Sequence, residues 1–204
     1  MPLPGKRWRH VIISTRCSWL HGDQRGFRTR DHSLHSTGDY KKRPPADEHV
    51  GLRDYFEERS GAEVHLPQHI RPTIGRAILE WFTGGEHRVL AVAVAKVHAH
   101  AVVELPNYMP KIREIVGHAK RKSSRAVKDL LPGSIWGEGG KYKLVSSKSH
   151  LKKAVEYVLY DQGDDAWTWS FRDQSNVGKF GRKRPPGPKR DTSRGRAQRR
   201  PGSR

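Results

Sequence analysis

The chain has 204 residues, of which 40 are Lys or Arg and 21 are Asp or Glu, so its formal net charge is +19. This length suits one domain with a hydrophobic core and argues against two large ones. The charge predicts a polyanionic partner, with nucleic acid favoured over an anionic membrane surface. The single cysteine, Cys17, excludes an intramolecular disulfide and a cysteine-based zinc site and favours a reducing, cytosolic compartment. The longest apolar stretch, residues 89–105, is interrupted by charged and histidine residues, so no membrane span is predicted.

The first half of the chain predicts one strand, a long loop and two helices. Residues 8–14 form a β-branched run that suits a first strand. Residues 22–48 are rich in His, Ser, Gly, Asp and Arg and predict a long loop. Helices are predicted at residues 47–59 and 72–82, and the second has apolar residues three and four apart before two glycines end it.

The second half predicts an alternation of strands and helices. Residues 89–94 and 97–105 are predicted as two β segments. Their junction lacks a typical hairpin residue, so one long bent strand is the alternative interpretation. A helix is predicted at residues 110–131, two short strands around a glycine turn at 135–145, and a helix capped by a serine at 149–162. The order of elements indicates an α+β fold around an antiparallel sheet.

The C-terminal residues 182–204 differ in composition from the rest of the chain. They contain ten Lys or Arg, one Asp, four prolines and a single apolar residue, Ala197. Such a segment buries too little surface to fold alone, so we predict a disordered basic tail after a domain at residues 1–181. The tail is either a solubilising extension or an arm that follows phosphates, and the charge of the whole chain favours the arm.

Two histidines, His98 and His100, lie within the strand-like run at residues 97–105. Side chains of a strand alternate between the faces of a sheet, so both imidazoles project from one face and can converge on a metal ion or a phosphate. The chain has 12 histidines, so chance alone can produce such a pair. Two interpretations therefore stay open: metal ligands, or hydrogen-bonded structural histidines.

The last predicted helix carries two tyrosines, Tyr157 and Tyr160. Counted at about 100° per residue, Tyr157 lies at the edge of the apolar face with Asp161 beside it, whereas Tyr160 points toward solvent. Ordinary packing at the boundary of the core explains a tyrosine next to a carboxylate. A phenol with a pKa of about 10 is a poor nucleophile, so catalytic use would require a cation or a metal nearby.

The helix predicted at residues 110–131 has one apolar face and one basic face. A row of cations on one helix can bind the phosphates of a single strand. The candidate nucleic-acid-binding residues on this face are Lys111, Lys120, Arg121, Lys122 and Arg125.

Three blocks of sequence, within residues 8–170, occur in the order found in a known family. They are WRHVIISTRCSWLHGDQRGFR, AVAVAKVHAHAVVELP and SIWGEGGKYKLVSSKSHLKKAVEYVLYDQG. Together they resemble the single-tyrosine HUH transposases of the insertion-sequence two-hundred type, and most of all the relatives associated with repetitive extragenic palindromes (REP). The resemblance implies a ferredoxin-like antiparallel sheet with helices on one face. It also implies a homodimer in which each active site takes its histidines and its tyrosine from different chains.

The resemblance further implies roles for single residues. His98 and His100 match the two histidines that hold a divalent ion, Mg²⁺ or Mn²⁺, and Tyr157 matches the nucleophile. The family has Gln or Asn as a third ligand one turn after that tyrosine, where this chain has Asp161 followed by Gln162. We expect Asp161 to be the third ligand, because it lies about 40° from Tyr157 around the helix and a carboxylate suits these ions.

The function that the resemblance implies is that of a DNA transposase of a mobile element. Such an enzyme cleaves and rejoins single-stranded DNA, here expected beside a hairpin, through a 5′-phosphotyrosine intermediate. It would act in the cytoplasm of a prokaryote, associated with the nucleoid. The charge supports a second hypothesis, a domesticated, non-catalytic nucleic-acid-binding protein. A covalent protein–DNA product distinguishes the two.

Overall fold

The computed structural model describes residues 1–23, 27, 35, 45, 47–173 and 178–185. Most of the stretch predicted as a long loop, and the predicted basic tail from residue 186 onward, lie outside the described residues. The described residues form a six-stranded antiparallel sheet and four α-helices, which confirms the α+β class. Within these ranges, no helix combines the length and the apolar composition that crossing a membrane requires.

The elements follow one another along the chain with these bounds: β1 (Lys6–Ser14), α1 (Val50–Ser60), α2 (Arg71–Gly84), β2 (Val89–Val94), β3 (His98–Pro106), α3 (Met109–Arg125), β4 (Lys141–Leu144), α4 (Lys148–Tyr160), β5 (Trp167–Ser170) and β6 (Lys179–Phe180). The strands lie side by side in the order β4-β1-β3-β2-β5-β6. All neighbouring pairs are antiparallel, and β1 and β3 are the second and third strands from the β4 edge.

A tight hairpin joins β2 to β3. The backbone N–H of Ala95 donates to the carbonyl of His98 at 2.9 Å, and the two strands pair in antiparallel register. This pairing excludes one long bent strand, the alternative that the sequence left open. The hairpin brings His98 to the first position of β3.

The region between α3 and α4 differs from the prediction. One strand, β4, forms where two were predicted, and Trp136 makes only an isolated bridge with Thr15. The N-cap of α4 is Ser147, whose side chain accepts a hydrogen bond from the backbone N–H of His150 at 3.1 Å. The sequence predicted Ser149 in this role, since either serine can cap a helix and only the backbone conformation decides between them.

Apolar side chains of the central strands alternate between two hydrophobic clusters on opposite faces of the sheet. Ala99, Ala101 and Val103 of β3 join the cluster that contains the apolar residues of α2 and α3. Val102 joins the second cluster, which contains Val158 of α4. Helix α4 therefore packs on the face opposite α2 and α3, which differs from the prediction that the helices share one face. Strand β2 is apolar on both sides, so both faces of the sheet need a cover.

Helix α2 approaches the sheet closely at Gly75. A Cβ atom at this position would overlap the ring of Trp167, which begins β5 and is 1% exposed. Glycine is unfavourable within a helix by about 1 kcal/mol relative to alanine. The close approach explains its presence here, because the buried ring occupies the space that any side chain would need.

This packing predicts opposite effects for two helical glycines. We expect Gly75→Ala to lower the free energy of unfolding by about 1–3 kcal/mol, because Trp167 must shift within a packed core. Gly117→Ala in α3 should be neutral or raise it by up to about 1 kcal/mol, since a Cβ there meets only the end of the Arg121 side chain, at 3.7 Å. Urea denaturation measures both values, and equal effects would contradict the close-approach explanation.

Candidate functional site

Strand β3 carries His98 and His100 on the face of the sheet that α4 covers. His100 is buried and His98 is half-buried, and the centroids of their rings are 4.8 Å apart. A third histidine, His10 of β1, lies on the same face, with its Nε2 atom 2.8 Å from Nδ1 of His100. The sequence predicted a strand here, at residues 8–14, but His10 was not among the predicted site residues. The pattern of β1 shows that His10 shares a face with Trp8, but not which residue of β3 it meets.

Two of these histidines are held in the neutral form. Burial, together with unfavourable electrostatic interactions with Lys143 and His150, lowers the pKa of His10 to about 4. Burial, with unfavourable electrostatic interactions with His98, His10 and Lys143, lowers the pKa of His100 to about 2. Desolvation disfavours the charged imidazolium in both cases. At neutral pH the bond between them therefore joins two neutral rings, one of which donates and the other accepts.

Tyr157 of α4 lies against this histidine pair. Its ring centroid is 5.8 Å from that of His10 and 5.7 Å from that of His100, and both contacts are edge-on. The residue is 44% exposed, so part of the ring stays open to solvent. The sequence placed Tyr157 at the edge of the apolar face of its helix, and the structure agrees with that position.

Tyr160, on the next turn of α4, takes a different position from the one expected. It is half-buried and packs against the second hydrophobic cluster. The guanidinium of Arg184, from the segment after β6, lies 5.8 Å from its ring centroid. The count of residues around the helix predicted that Tyr160 faces solvent. Such a count does not include contacts with segments distant in sequence, such as the one that carries Arg184.

Asp161 and Gln162, the two candidates for a third ligand, point in different directions. Oε1 of Gln162 lies 3.1 Å from Nε2 of His98, and the Gln162 amide donates to the carbonyl of Tyr157 at 2.9 Å. Asp161 instead pairs with Arg184, with Oδ2 and Nη2 2.6 Å apart. Helix α4 ends just before Asp161, which has φ −116° and ψ 26°. A count at about 100° per residue therefore does not apply to either residue.

A groove of about 920 Å³ lies at this group of side chains. His98, His100 and Tyr157 belong to its lining, and the cations Arg16, Lys141 and Lys143 belong to it as well. We call this the histidine groove. Lys141 and Lys143 are two apart on the edge strand β4, so their side chains share a face of the sheet.

A second groove, of about 750 Å³, adjoins the histidine groove and shares part of its lining, including Arg16 and Glu138. Arg121 and Arg125 of α3 line this second groove. Lys122 is exposed on the same helix and lines a separate cleft with them. Of the five predicted phosphate contacts, Lys120, Arg121 and Arg125 thus line a surface continuous with the histidine groove.

Two of the five predicted phosphate contacts, Lys120 and Lys111, have partners within the protein. Nζ of Lys120 donates to the carbonyls of Gly137 and Gly139 at 2.5 and 2.7 Å, and partial burial lowers its pKa. Lys111 lies in the first turn of α3 and pairs with Glu114 at 3.0 Å. Lys120 therefore ties α3 to the glycine turn that borders both grooves.

Among the residues that the structure describes, no three His, Cys, Asp or Glu side chains form a group that could hold a metal ion. The donors that do come together are the imidazoles of His98 and His100 and the amide oxygen of Gln162. An amide oxygen is an accepted ligand of hard divalent ions, so these three residues are the ones that could hold one.

No protein-family model matches the chain, and no curated protein matches it. Among solved structures, the chain is similar to a REP-associated tyrosine transposase bound to a REP hairpin, with a TM-score of 0.41 and 11% sequence identity. The match covers 78% of this chain and 67% of that one. It is a distant likeness of fold and assigns no role to any residue here.

The contacts of Lys120 predict a structural role for this residue. Lys120→Met keeps the aliphatic stem but removes two charged hydrogen bonds, so we expect the free energy of unfolding to fall by about 1.5–3 kcal/mol. Lys122→Met, at an exposed position of the same helix, should change it by less than about 0.5 kcal/mol. Both values come from chemical denaturation. A similar loss in the two variants would contradict the structural role of Lys120.

Proposed function

We propose that this chain cleaves and rejoins single-stranded DNA with Tyr157 as the nucleophile, as expected of a single-tyrosine HUH transposase. The observation that carries the proposal is the edge-on contact of Tyr157 with His10 and His100, which are neutral and buried, in a groove lined by cations. An exposed tyrosine that only completed the core would not need two histidines beside its ring. The cations around the groove suit a substrate that carries phosphates.

In this proposal, His98, His100 and Gln162 hold a divalent ion, Mg²⁺ or Mn²⁺. The donor chemistry fits, because both histidines share one face of β3 and Oε1 of Gln162 lies 3.1 Å from Nε2 of His98. Gln162 replaces Asp161 as the expected ligand, since the Asp161 carboxylate is already paired with Arg184. When bound, the ion would supply Lewis-acid polarisation of the scissile phosphate.

His10 acts as a positioning residue for His100. Its Nε2 atom lies 2.8 Å from Nδ1 of His100, so it can accept a hydrogen bond from that nitrogen. A neutral imidazole that carries its proton on Nδ1 has its lone pair on Nε2. His10 thereby selects the tautomer of His100 that can bind an ion through Nε2, as the partners of metal-binding histidines commonly do.

The reaction exchanges one phosphodiester for another. The phenolic oxygen of Tyr157 loses its proton and attacks the scissile phosphorus, forming a new oxygen–phosphorus bond. The bond from phosphorus to the 3′-oxygen breaks, and that oxygen takes up a proton and leaves as a 3′-hydroxyl. The 5′-phosphate stays on the tyrosine. Attack by the 3′-hydroxyl of another strand reverses these events, releases Tyr157 and rejoins the DNA without an external energy source.

His10, His100 and Tyr157 lie in contact within the single chain of this structure. The homodimer, and with it a site that takes its histidines and its tyrosine from different chains, stays a prediction. The sheet ends in short strands on both sides, β4 with four residues and β6 with two, which limits uncontrolled pairing at its edges.

The nucleophile can be tested with two matched variants. Tyr157→Phe should abolish the covalent product, because only the attacking oxygen is removed and a residue that is 44% exposed loses little packing. Tyr160→Phe should retain it. The assay is a denaturing gel of labelled single-stranded DNA incubated with protein and Mg²⁺ or Mn²⁺. An adduct formed by Tyr157→Phe would refute the proposed nucleophile. Binding without any adduct by the unaltered protein would leave the second hypothesis, a non-catalytic binding protein.

The third ligand can be tested in the same assay. Gln162→Ala should raise the metal concentration needed for half-maximal adduct formation by about tenfold or more, because it removes an oxygen beside His98. Asp161→Ala should leave that concentration nearly unchanged, since its carboxylate pairs with Arg184. Thermal unfolding of both variants controls for damage to the end of α4. The opposite pattern would return the role to Asp161.

A further inference from the structure

An exposed tryptophan lies in the histidine groove. Trp19 is 54% exposed and belongs to the same lining as Tyr157 and the two site histidines. Nζ of Lys141 lies 5.8 Å from its ring centroid. Tryptophan is usually well buried, so a large indole exposed beside a cation in a groove indicates a binding role.

The loop that carries Trp19 is held in place by hydrogen bonds to three other parts of the chain. The backbone N–H of Thr15 donates to Val97 at 2.8 Å, and that of Arg16 donates to Ile135 at 2.9 Å. The backbone N–H of Val64 donates to the carbonyl of Arg16 at 3.0 Å. The backbone before Trp19 is therefore fixed before any ligand arrives, which reduces the entropy lost on binding.

We propose that Trp19 is a stacking platform for one nucleobase of a single strand that occupies the histidine groove. The inference rests on the proposed function, because the strand is the substrate of that same site. Arg16, Lys141 and Lys143 supply positive charge along the groove, and the indole supplies an apolar face. This combination of cations that follow the backbone and an aromatic ring that stacks on a base is typical of single-strand binding. Stacking tolerates any base, because all four have an aromatic face.

The test compares strands with and without bases. All proteins carry Tyr157→Phe, so that covalent chemistry does not affect binding, and the probes are labelled oligothymidine and an abasic strand of equal length. Fluorescence anisotropy measures the affinity for each probe. Trp19→Ala should weaken binding of oligothymidine by about fivefold or more, which corresponds to the loss of about 1 kcal/mol for one stacked base. Trp19→Phe should retain most of the affinity, and binding of the abasic strand should be nearly the same in all three proteins.

Phe171 provides a matched control. It is 51% exposed with the guanidinium of Arg172 5.5 Å from its ring centroid, and it does not belong to the lining of the histidine groove. Phe171→Ala should leave both affinities unchanged. An equal loss of affinity for the abasic strand in Trp19→Ala would overturn the stacking platform. So would a Tyr157→Phe protein with native Trp19 that binds both probes equally well or binds neither.

The two proposals can fail separately. An adduct formed by the protein with native Tyr157, together with unchanged oligothymidine affinity in Trp19→Ala, would overturn the platform and keep the nucleophile. A base-dependent loss in Trp19→Ala, with no adduct from native Tyr157, would keep the platform and overturn the strand transferase.

Discussion

Nine consecutive antiparallel pairs join β1 to β3, from Lys6 opposite Pro106 to Ser14 opposite His98. The rest of the structure depends on this register, because successive side chains of a strand lie on opposite faces of the sheet. A slip of one residue would turn the apolar side chains of β3 away from α2 and α3 and move His100 into their place. Hydrophobic burial therefore disfavours a slip of one residue, and the observed register brings His10 next to His100.

The same apolar forces position the proposed nucleophile. Val158 and Leu159 of α4 bury their side chains in the second hydrophobic cluster, and this rotates Tyr157 to the boundary between the core and the groove. Burial also determines the chemistry of the neighbouring histidines, since an imidazolium beside other positive charges and away from water is unfavourable. The site thus brings neutral histidine side chains together with the cations Arg16, Lys141 and Lys143 around one groove.

Local sequence patterns were sufficient for several of these features. The two-residue period of a strand placed His98 and His100 on one face, and the periodicity of a helix placed Tyr157 at the edge of an apolar stripe. The α+β class and most helix and strand positions followed from the same patterns. These features depend on residues close together in the chain, where backbone geometry alone relates one side chain to the next.

The tertiary structure decided which residues distant in the sequence come into contact. His10 and His100 are 90 positions apart, and only the register of β1 against β3 brings them together. The choice between Asp161 and Gln162 depends on where α4 ends and on Arg184, which belongs to a segment 23 residues further along the chain. Sequence periodicity by itself determined the face on which a side chain lies. The partner that it meets there was decided by packing between elements, because that contact depends on the positions of both elements in the fold.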